Sequence, residues 1–294
     1  MKKFSEDLNI IAKDANIFLS KFFLNKKKYS YLTNPMKYGV FSGGKRIRSV
    51  VIVNTGKIFN IDYKTLITIS AAIECVHSYS LMHDDLPAMD NDSLRRGKLT
   101  THKKFNEFTA ILAGSSLLTL AFEILSSKSL KVSPKIKNEL IYTLAIYAGL
   151  SGLAGGQYFD LTYEAKKTSK RKILNIQYNK TGKLFAFCCE SVSIIKGHSF
   201  NKRKILKKIG LDIGLLFQIT DDLIDFKGDS KMVGKRTKKD KKAGKPTLIS
   251  LIGYKKTLDF AFNLKNKINK KIKNYGIRSQ NLLHSVDFIL DRKF

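Results

Sequence analysis

The feature that most constrains the fold of this 294-residue chain is the spacing of its apolar side chains. They recur every three or four positions almost throughout, as in Leu66, Ile69, Ala72, Ile73 and Val76, and this is the period of one face of an α-helix. The sustained alternation typical of β-strands is missing from the sequence. The pattern therefore predicts an all-α protein.

The helix boundaries follow from the same pattern. Each of the four prolines is expected where a helix begins or ends, because proline has no backbone N–H to donate. The absence of a Gly/Ser-rich or Pro-rich linker predicts a single domain over residues 1–294. The predicted helices lie near residues 4–23, 35–58, 63–85, 105–127, 134–162, 169–196, 202–226, 246–273 and 276–291.

Several features bear on the location of the protein. The N-terminal segment lacks the apolar stretch of a signal peptide, and it carries acids, which transit peptides avoid. The longest apolar stretches fall short of the roughly 20 residues that a membrane span needs. Three cysteines in neither a disulfide framework nor a metal-type spacing suit a reducing compartment. We expect a cytoplasmic protein without a membrane span.

The charge of the chain is strongly positive, with 54 Lys and Arg against 24 Asp and Glu and a formal net charge of +30. Such an excess is typical of proteins that bind nucleic acid or another polyanion. Here the lysines are spread along the whole chain. This distribution favours a different explanation of the excess, a drift toward residues with A+T-rich codons. A polyanion-binding surface remains the alternative.

Arginine is distributed differently from lysine. Nine of the 54 basic residues are arginine, and four of these are Arg46, Arg48, Arg95 and Arg96. In a chain that uses lysine elsewhere, a retained arginine indicates a position where the planar, two-pronged guanidinium matters, as it does for phosphate.

Four aspartates lie within LMHDDLPAMDND, residues 81–92. Asp84 and Asp85 end a predicted helix, where the negative end of the helix dipole makes neighbouring carboxylates costly without a counter-charge. Pro87 ends the helix, so we expect the loop to carry Asp90 back toward the same helix end. A bound cation would resolve the repulsion.

A second cluster, Asp221-Asp222-Leu-Ile-Asp225, ends another apolar helix. Asp221 and Asp225 share a helix face, whereas Asp222 lies about 100° away. Carboxylate ligands favour Mg²⁺ bound together with phosphates over zinc. One such cluster is typical of a solvated helix end, but two in an acid-poor chain favour a metal site.

Basic and polar motifs accompany the aspartates. GGKRIR, residues 43–48, combines glycines that allow close approach of an anion with cationic donors, although it is equally typical of a surface turn. Lys180-Thr181-Gly182 interrupts an apolar helical run, where glycine is unfavourable by about 1 kcal/mol relative to alanine, and this predicts a local distortion. His77, two turns before Asp84, fits either core packing or a diphosphate donor.

Together these segments resemble the trans-isoprenyl diphosphate synthases, most closely the bacterial farnesyl diphosphate synthases. The similar segments follow the family's order and spacing over essentially the whole chain. They are GGKRIR (43–48), ECVHSYSLMHDDLPAMDNDSLRRG (74–97), KFNEFTAILAG (104–114), GGQYFDL (155–161), KTGKLF (180–185), FQITDDLID (217–225) and GKRTKKDKKAGKPT (234–247).

The resemblance implies a helical bundle around a deep central cavity, usually a homodimer, with the two aspartate motifs facing each other across the mouth. It implies three Mg²⁺ per active site and two diphosphate substrates. The implied metal ligands are Asp84, Asp90 and Asp221, assisted by Asp85 and Asp225. The implied isopentenyl diphosphate ligands are Lys45, Arg48, His77 and Arg96. The implied residues around the allylic diphosphate are Arg95, Lys180, Thr181, Gln218, Lys235 and Lys245.

The implied reaction is head-to-tail condensation of isopentenyl diphosphate with dimethylallyl or geranyl diphosphate to give farnesyl diphosphate, by ionisation, condensation and elimination. A geranylgeranyl diphosphate synthase is the nearest alternative, and a terpene cyclase would not need the second diphosphate set. From a different class, a basic helical polyanion-binding protein with a degenerate catalytic site would explain the charge alone.

The resemblance also implies which residues limit product length, and it shows three positions where this sequence differs from the family. Tyr79 and Ser80 occupy the positions that limit elongation in the family, and Tyr79 lies about 7.5 Å deeper along the helix than Asp84. Ser49 stands where relatives usually have Pro. Gln177 and Asn179 stand where several bacterial members have His, and Ser115 stands where the family generally has Asp; that last change leaves support of the metal site open.

Overall fold

The computed structural model describes residues 2–24, 26–227 and 245–292. Over these residues the chain is helical apart from connecting segments and one short hairpin, which confirms the all-α prediction. The helices, numbered over the described residues, are α1 (Lys2–Leu24), α2 (Ser30–Val40), α3 (Ile47–Ile58), α4 (Tyr63–Asp84), α5 (Thr101–Lys104), α6 (Glu107–Ser126), α7 (Pro134–Ala148), α8 (Leu153–Thr162), α9 (Lys170–Gln177), α10 (Lys183–Ile195), α11 (Phe200–Lys227), α12 (Leu248–Ile252), α13 (Tyr254–Lys273) and α14 (Gln280–Leu290). Strands β1 (Leu94–Arg95) and β2 (Lys98–Leu99) pair antiparallel, single 3-10 turns cover Lys27–Tyr29 and Ile277–Ser279, and a π-helical turn covers Tyr178–Gly182.

By their contacts the residues form two compact units. Unit 1 groups residues 1–53 with 62–137, and unit 2 groups residues 54–61 with 138–294. The single domain over residues 1–294 stays a prediction.

In unit 1 the helix that carries the first aspartate cluster is the central element. The Asp62 carboxylate caps α4 by accepting from Thr65 N–H at 2.9 Å, and the side chains from Thr65 to Val76 are all buried. Helices α1, α2 and α6 pack around α4. Burial on every side makes α4 the central helix of unit 1, and its sequence accordingly shows no polar face over these residues.

In unit 2 the central pair of helices is α10 and α11. Helix α11 also packs on α13. The approach of α10 and α11 is close at Gly210, where an added Cβ would lie 2.3 Å from the carbonyl oxygen of Phe185. The Phe185 and Phe217 rings then meet at 5.3 Å between centroids. The helix that ends in the second aspartate cluster is thus held by backbone-to-backbone packing.

Three predicted helices are interrupted. The helix predicted over 35–58 divides at Gly43 and Gly44, whose φ angles of 102° and 115° are incompatible with a right-handed helix. The helix over 134–162 divides between α7 and α8, and the one over 246–273 divides at Gly253. The expectation for proline is wrong at Pro35, which lies inside α2.

Helix α6 is, among the described residues, the one helix long and apolar enough to cross a membrane by length and composition. The sequence prediction counted no such segment, because Glu123 and the serines interrupt its apolar runs. Core helices of water-soluble proteins meet the same criterion, and 44% of the α6 window is buried in the structure. The buried residues of α6 pack against α4 and α2.

The three cysteines, Cys75, Cys188 and Cys189, are all buried, and none of them forms a disulfide. Burial raises the pKa of Cys189 to about 12, so this thiol stays protonated. The reducing compartment and the cytoplasmic location stay predictions.

Candidate active site

The first aspartate cluster closes on itself at the end of α4. Asp84 is the last residue of the helix, and the Asp90 N–H donates to the Asp84 carbonyl oxygen at 2.8 Å. The Asp92 N–H donates to the Asp85 carbonyl oxygen at 3.1 Å. The loop therefore carries Asp90 back to the helix end, as the sequence predicts.

The two adjacent aspartates of this cluster have different surroundings. Asp85 is 3% exposed and accepts from Arg95 through Nε at 2.8 Å and Nη2 at 2.5 Å. Burial opposes the charge of Arg95, but the Asp85 hydrogen bonds and the charges of Asp84 and Asp90 outweigh it and raise the pKa of Arg95. Arg95 thus lies among the carboxylates of the first cluster.

The β1–β2 hairpin places the neighbouring side chains of Arg95 and Arg96 against different parts of unit 1. Arg95 is on β1, whereas Arg96 and Gly97 form the turn with φ angles of 54° and 75°. The Arg96 guanidinium donates to the carbonyl oxygen of Gly43. An added Cβ on Gly44 would lie 2.6 Å from the Arg96 guanidinium carbon, so the glycine of GGKRIR makes room for this arginine.

Positive charge accumulates around His77 in unit 1. Burial, followed by the charges of Arg48 and Arg96, holds the pKa of His77 well below its ordinary value. Burial and the charge of Arg95 likewise lower the pKa of Arg96 to about 10. Cations that lower one another's pKa create a site of positive potential, which a diphosphate would relieve. Lys45 is exposed on the same glycine-rich turn.

Arg46 serves the fold. It is 6% exposed, and its guanidinium bonds to Glu74 at 3.2 Å, to Asn16 at 2.9 Å and to the Val40 carbonyl at 2.5 Å. Ser49 donates to the same Glu74 carboxylate from N–H and from Oγ, at 3.2 and 2.9 Å. The planar guanidinium of Arg46 thus matters, as predicted, but its partners are groups of the protein itself. Ser49 supplies an N–H that proline lacks.

The second cluster separates its aspartates as the helical geometry predicts. Asp222 is 6% exposed and accepts from Gln177 Nε2 and Gln218 Nε2, each at 2.9 Å. Gln218 Oε1 in turn accepts from Thr181 Oγ1 at 2.8 Å. Gln177 is therefore part of a hydrogen-bonded chain that orients the amide of Gln218.

Asp221 faces away from that chain. Its carboxylate is 40% exposed and lies 3.0 Å from Nη1 of Arg292. Asp225, one turn later on the same helix, is partly exposed. The two carboxylates predicted to point together thus lie on the accessible side of α11.

One functional residue was missed by the sequence reasoning. Asp160 on α8 accepts from Lys180 Nζ at 2.6 Å and lies 3.7 Å from Lys245 Nζ. Lys245 also lies 3.6 Å from Glu164. The signal was the segment GGQYFDL, which supported the resemblance without a role for its aspartate. Lys235, predicted beside these lysines, lies outside the described residues.

The predicted distortion at Lys180-Thr181-Gly182 is present as a π-helical turn over Tyr178–Gly182. Two glycines permit neighbouring helices to touch its backbone. An added Cβ on Gly156 would lie 2.2 Å from Lys180 N, and one on Gly214 would lie 2.6 Å from Gly182 Cα. The widened turn is thus packed directly between α8 and α11.

The two residues predicted to limit product length differ in exposure. Tyr79 is partly exposed, and its ring packs edge-on against His83 with 4.7 Å between centroids. His83 Nε2 pairs with the Ile111 carbonyl of α6 at 3.1 Å. Ser80 is 8% exposed and donates to the His77 carbonyl at 2.9 Å. The Tyr79 ring, five residues before Asp84 on α4, therefore packs on a histidine that is hydrogen-bonded to α6.

The donor set suits Mg²⁺ held jointly with a diphosphate. Within the described ranges, no group of three or more His, Cys, Asp or Glu side chains is arranged to hold a metal alone. Each cluster supplies carboxylate oxygens, and Mg²⁺ commonly completes its octahedron with water and substrate phosphate. The neighbouring arginines would pair with the remaining phosphate oxygens.

Comparison with known proteins identifies the family of the chain. The family model described as Polyprenyl synthetase matches residues 29–280. Farnesyl diphosphate synthase of Escherichia coli (strain K12) is 37% identical over 295 residues, covering 98% of this chain and 99% of that protein.

Two solved structures have the same fold. An FPP/GFPP synthase from Zymomonas mobilis superposes with a TM-score of 0.85 at 36% identity, covering 96% of this chain and 99% of its own. A geranyltransferase from Helicobacter pylori, solved with magnesium and isoprenyl diphosphate, superposes with a TM-score of 0.79 at 31% identity, covering 89% of this chain and 87% of its own. The chain belongs to the polyprenyl synthetase family.

Proposed function

We propose that the protein is a farnesyl diphosphate synthase, which condenses isopentenyl diphosphate with dimethylallyl and then geranyl diphosphate. The observation that carries this proposal is the pairing, within unit 1, of a carboxylate cluster with an arginine and histidine group of positive potential. A cation site beside an anion site is what a metal-bound diphosphate and a second, metal-free diphosphate require. Family membership supports the same activity.

The metal ligands of the proposal are Asp84, Asp90 and Asp221, assisted by Asp85 and Asp225. Magnesium, when bound, supplies charge neutralisation to the departing pyrophosphate. The Helicobacter pylori relative was solved with magnesium, and three ions per site is our proposal for this chain. The Arg95–Asp85 ion pair would place a guanidinium next to that diphosphate without moving the helix end.

Isopentenyl diphosphate is assigned to Lys45, Arg48, His77 and Arg96. Gly43 and Gly44 leave their backbone open to an anion, and Arg96 already lies against them. His77 is neutral at pH 7 because burial and Arg48 depress its pKa, so it would donate one N–H to a phosphate oxygen. The diphosphate would then be held while the double bond of the substrate remains available to attack.

The allylic diphosphate is assigned to Arg95, Lys180, Lys235 and Lys245. Asp160 holds the ammonium groups of Lys180 and Lys245 in place before substrate arrives. Thr181 and Gln218 present oxygen atoms that would lie near the developing allylic cation, and Asp222 orients the Gln218 amide so that its oxygen faces Thr181.

The chemistry needs no protein nucleophile. The carbon–oxygen bond of the allylic diphosphate breaks, and the double bond of isopentenyl diphosphate attacks the resulting cation. A proton is then lost, in the family's mechanism to the released pyrophosphate. Fixed charges act on the leaving group because they are already oriented when the bond breaks.

Product length is assigned to Tyr79 and Ser80. The bulk of the Tyr79 ring, braced by His83, would end the cavity at fifteen carbons. A geranylgeranyl diphosphate synthase is the alternative, and it would require the Tyr79 ring to leave room for a twenty-carbon product. The polyanion-binding alternative rests on the net charge of +30 alone and leaves both aspartate clusters unexplained.

We also propose a homodimer that uses the outer face of α6. Phe108, Ile111 and Leu112 are 66%, 43% and 53% exposed on this helix, and Ser115 is exposed one turn further on. Exposed apolar side chains at helical spacing are typical of a subunit interface. A second copy would cover the same face by two-fold symmetry.

The decisive experiment is incubation of the purified protein with Mg²⁺, isopentenyl diphosphate and each allylic diphosphate in turn. We expect a fifteen-carbon product from dimethylallyl and geranyl diphosphate, and no product when Mg²⁺ is chelated. A folded protein that makes no product from any allylic substrate contradicts the proposal. Salt-sensitive binding to a polyanion without turnover would favour the alternative class.

A further inference from the structure

The π-helical turn Tyr178–Gly182 is attached to a buried carboxylate at its first residue. The Tyr178 hydroxyl donates to Asp212 Oδ1 at 3.1 Å. Asp212 belongs to α11 and is 1% exposed. Neither residue has been assigned a role in binding or catalysis above.

Asp212 collects donors from three elements. Besides Tyr178, it accepts from Lys208 Nζ at 2.7 Å and from Lys271 Nζ at 3.1 Å. Lys208 is one turn before Asp212 on α11, and Lys271 is on α13. Burial opposes the charge of Lys208, but its hydrogen bonds to Asp212 and Tyr178 outweigh this and raise its pKa. Two ammonium groups and one hydroxyl therefore donate to this buried carboxylate, and charge-assisted hydrogen bonds of this kind are strong.

The rest of the π turn has little room to move. Its backbone at Lys180 touches α8 at Gly156, and its last residue touches α11 at Gly214, so closely that no side chain fits at either glycine. Tyr178 precedes Lys180 by two residues and Thr181 by three. A shift of Tyr178 would therefore pass along the turn to both side chains, because the flanking helices block lateral relaxation.

We propose that Tyr178 and Asp212 are positioning residues for the allylic half-site. They act through the π turn on Lys180 and Thr181, which pair with Asp160 and Gln218. This inference rests on the proposed function and deepens it. It predicts that loss of the Tyr178–Asp212 hydrogen bond slows cleavage of the carbon–oxygen bond of the allylic diphosphate. Binding of isopentenyl diphosphate should not change.

The test begins with Tyr178→Phe, which removes the hydroxyl and keeps the ring. We expect kcat to fall about three- to tenfold, the scale of one hydrogen bond, with the KM for isopentenyl diphosphate within about twofold of wild type. Asp212→Asn keeps an acceptor for the tyrosine and should retain more activity than Asp212→Ala. Adding Tyr178→Phe to Asp212→Ala should cost little further, because the two residues act as one unit.

Tyr147→Phe is the matched control, since Tyr147 also donates to a buried carboxylate in unit 2, that of Glu190. This variant should lose thermal stability and keep its kcat. If Asp212→Ala does not fold, the kcat of Tyr178→Phe is compared with the kcat of Tyr147→Phe, and this comparison alone tests the positioning role. An active wild type in which the two variants have the same kcat overturns the positioning role. An inactive wild type overturns the proposed function itself.

Discussion

The guanidinium of Arg292 lies 3.0 Å from the carboxylate of Asp221 and 4.1 Å from the centre of the Phe217 ring. Asp221 is a proposed metal ligand, so this arginine and Mg²⁺ would compete for one carboxylate. Arg292→Gln should strengthen Mg²⁺ binding about two- to fivefold in the presence of a non-reactive allylic diphosphate analogue, because a half-exposed ion pair is worth under about 1 kcal/mol. Calorimetry measures this affinity, and Arg278→Gln, at an exposed position, is the control. Weaker Mg²⁺ binding by Arg292→Gln would contradict competition.

The two aspartate clusters allow a sharper comparison between a proposed ligand and a buried neighbour. Asp84→Asn should lower kcat by about 10²- to 10³-fold and raise the Mg²⁺ concentration needed for half-maximal rate. Asp222→Asn should lower kcat without that shift, since Asp222 faces Gln177 and Gln218. Magnesium titrations of initial rate separate these outcomes. A similar Mg²⁺ shift in both variants would argue that Asp222 also binds metal.

His77 predicts a pH dependence of isopentenyl diphosphate binding. Burial and Arg48 hold its pKa well below the ordinary value in the free protein, and a bound diphosphate would raise it. The complex then holds more protons than the free protein, so affinity should increase as pH falls through the pKa of the complex. Calorimetric affinities from about pH 8 to about pH 5.5 should show a steeper dependence for wild type than for His77→Gln. Equal slopes would exclude His77 as the titrating group.

Tyr79 predicts the length of the product. Tyr79→Ala removes the ring that packs on His83, and the opened space should admit at least one more five-carbon unit. Mass spectrometry of the products should show twenty-carbon or longer diphosphates. Tyr142→Ala, at a residue 67% exposed, is the control and should still stop at fifteen carbons. An unchanged product from Tyr79→Ala would show that another residue limits the length of the product.

The outer face of α6 predicts the oligomeric state. Phe108→Asp places a charge where the proposed dimer buries an aromatic ring, and the desolvation of that charge should dissociate the dimer. Sedimentation velocity should report monomers for this variant and dimers for wild type. Ile277→Asp changes a side chain that is 86% exposed outside α6 and should leave the dimer intact. A monomeric wild type at micromolar concentration would remove the proposal.

The interruptions of the helices show where local patterns stop being sufficient. Helical periodicity predicted both aspartate-bearing helices, because α4 and α11 are long helices with many buried apolar residues. The helix predicted over 35–58 nevertheless ran through the break at residues 41–46, where Gly43 and Gly44 have positive φ angles. The missing side chain of Gly44 leaves room for the guanidinium of Arg96, a residue more than fifty positions away.

The same limit applies to individual side chains. The spacing of Asp221 and Asp222 predicted that they face different directions, because a helix rotates each residue by a known angle. Composition grouped Arg46 with the phosphate-binding arginines, whereas its partner is the buried carboxylate of Glu74. The segment GGQYFDL contains Asp160 but does not indicate its role, because that role depends on the ammonium group of Lys180, twenty residues later.

The sequence by itself determined the helical class, the two carboxylate clusters, the return of Asp90 to Asp84 and the distortion at Lys180-Thr181-Gly182. Each of these depends on residues close together in the chain, where helix geometry and turn chemistry act directly. Only the tertiary structure decided which arginine serves the fold, how the hairpin separates Arg95 from Arg96, and that Asp160 and Asp212 flank the π turn. Those outcomes depend on which distant side chains packing brings within hydrogen-bonding distance, and local spacing carries no information about that.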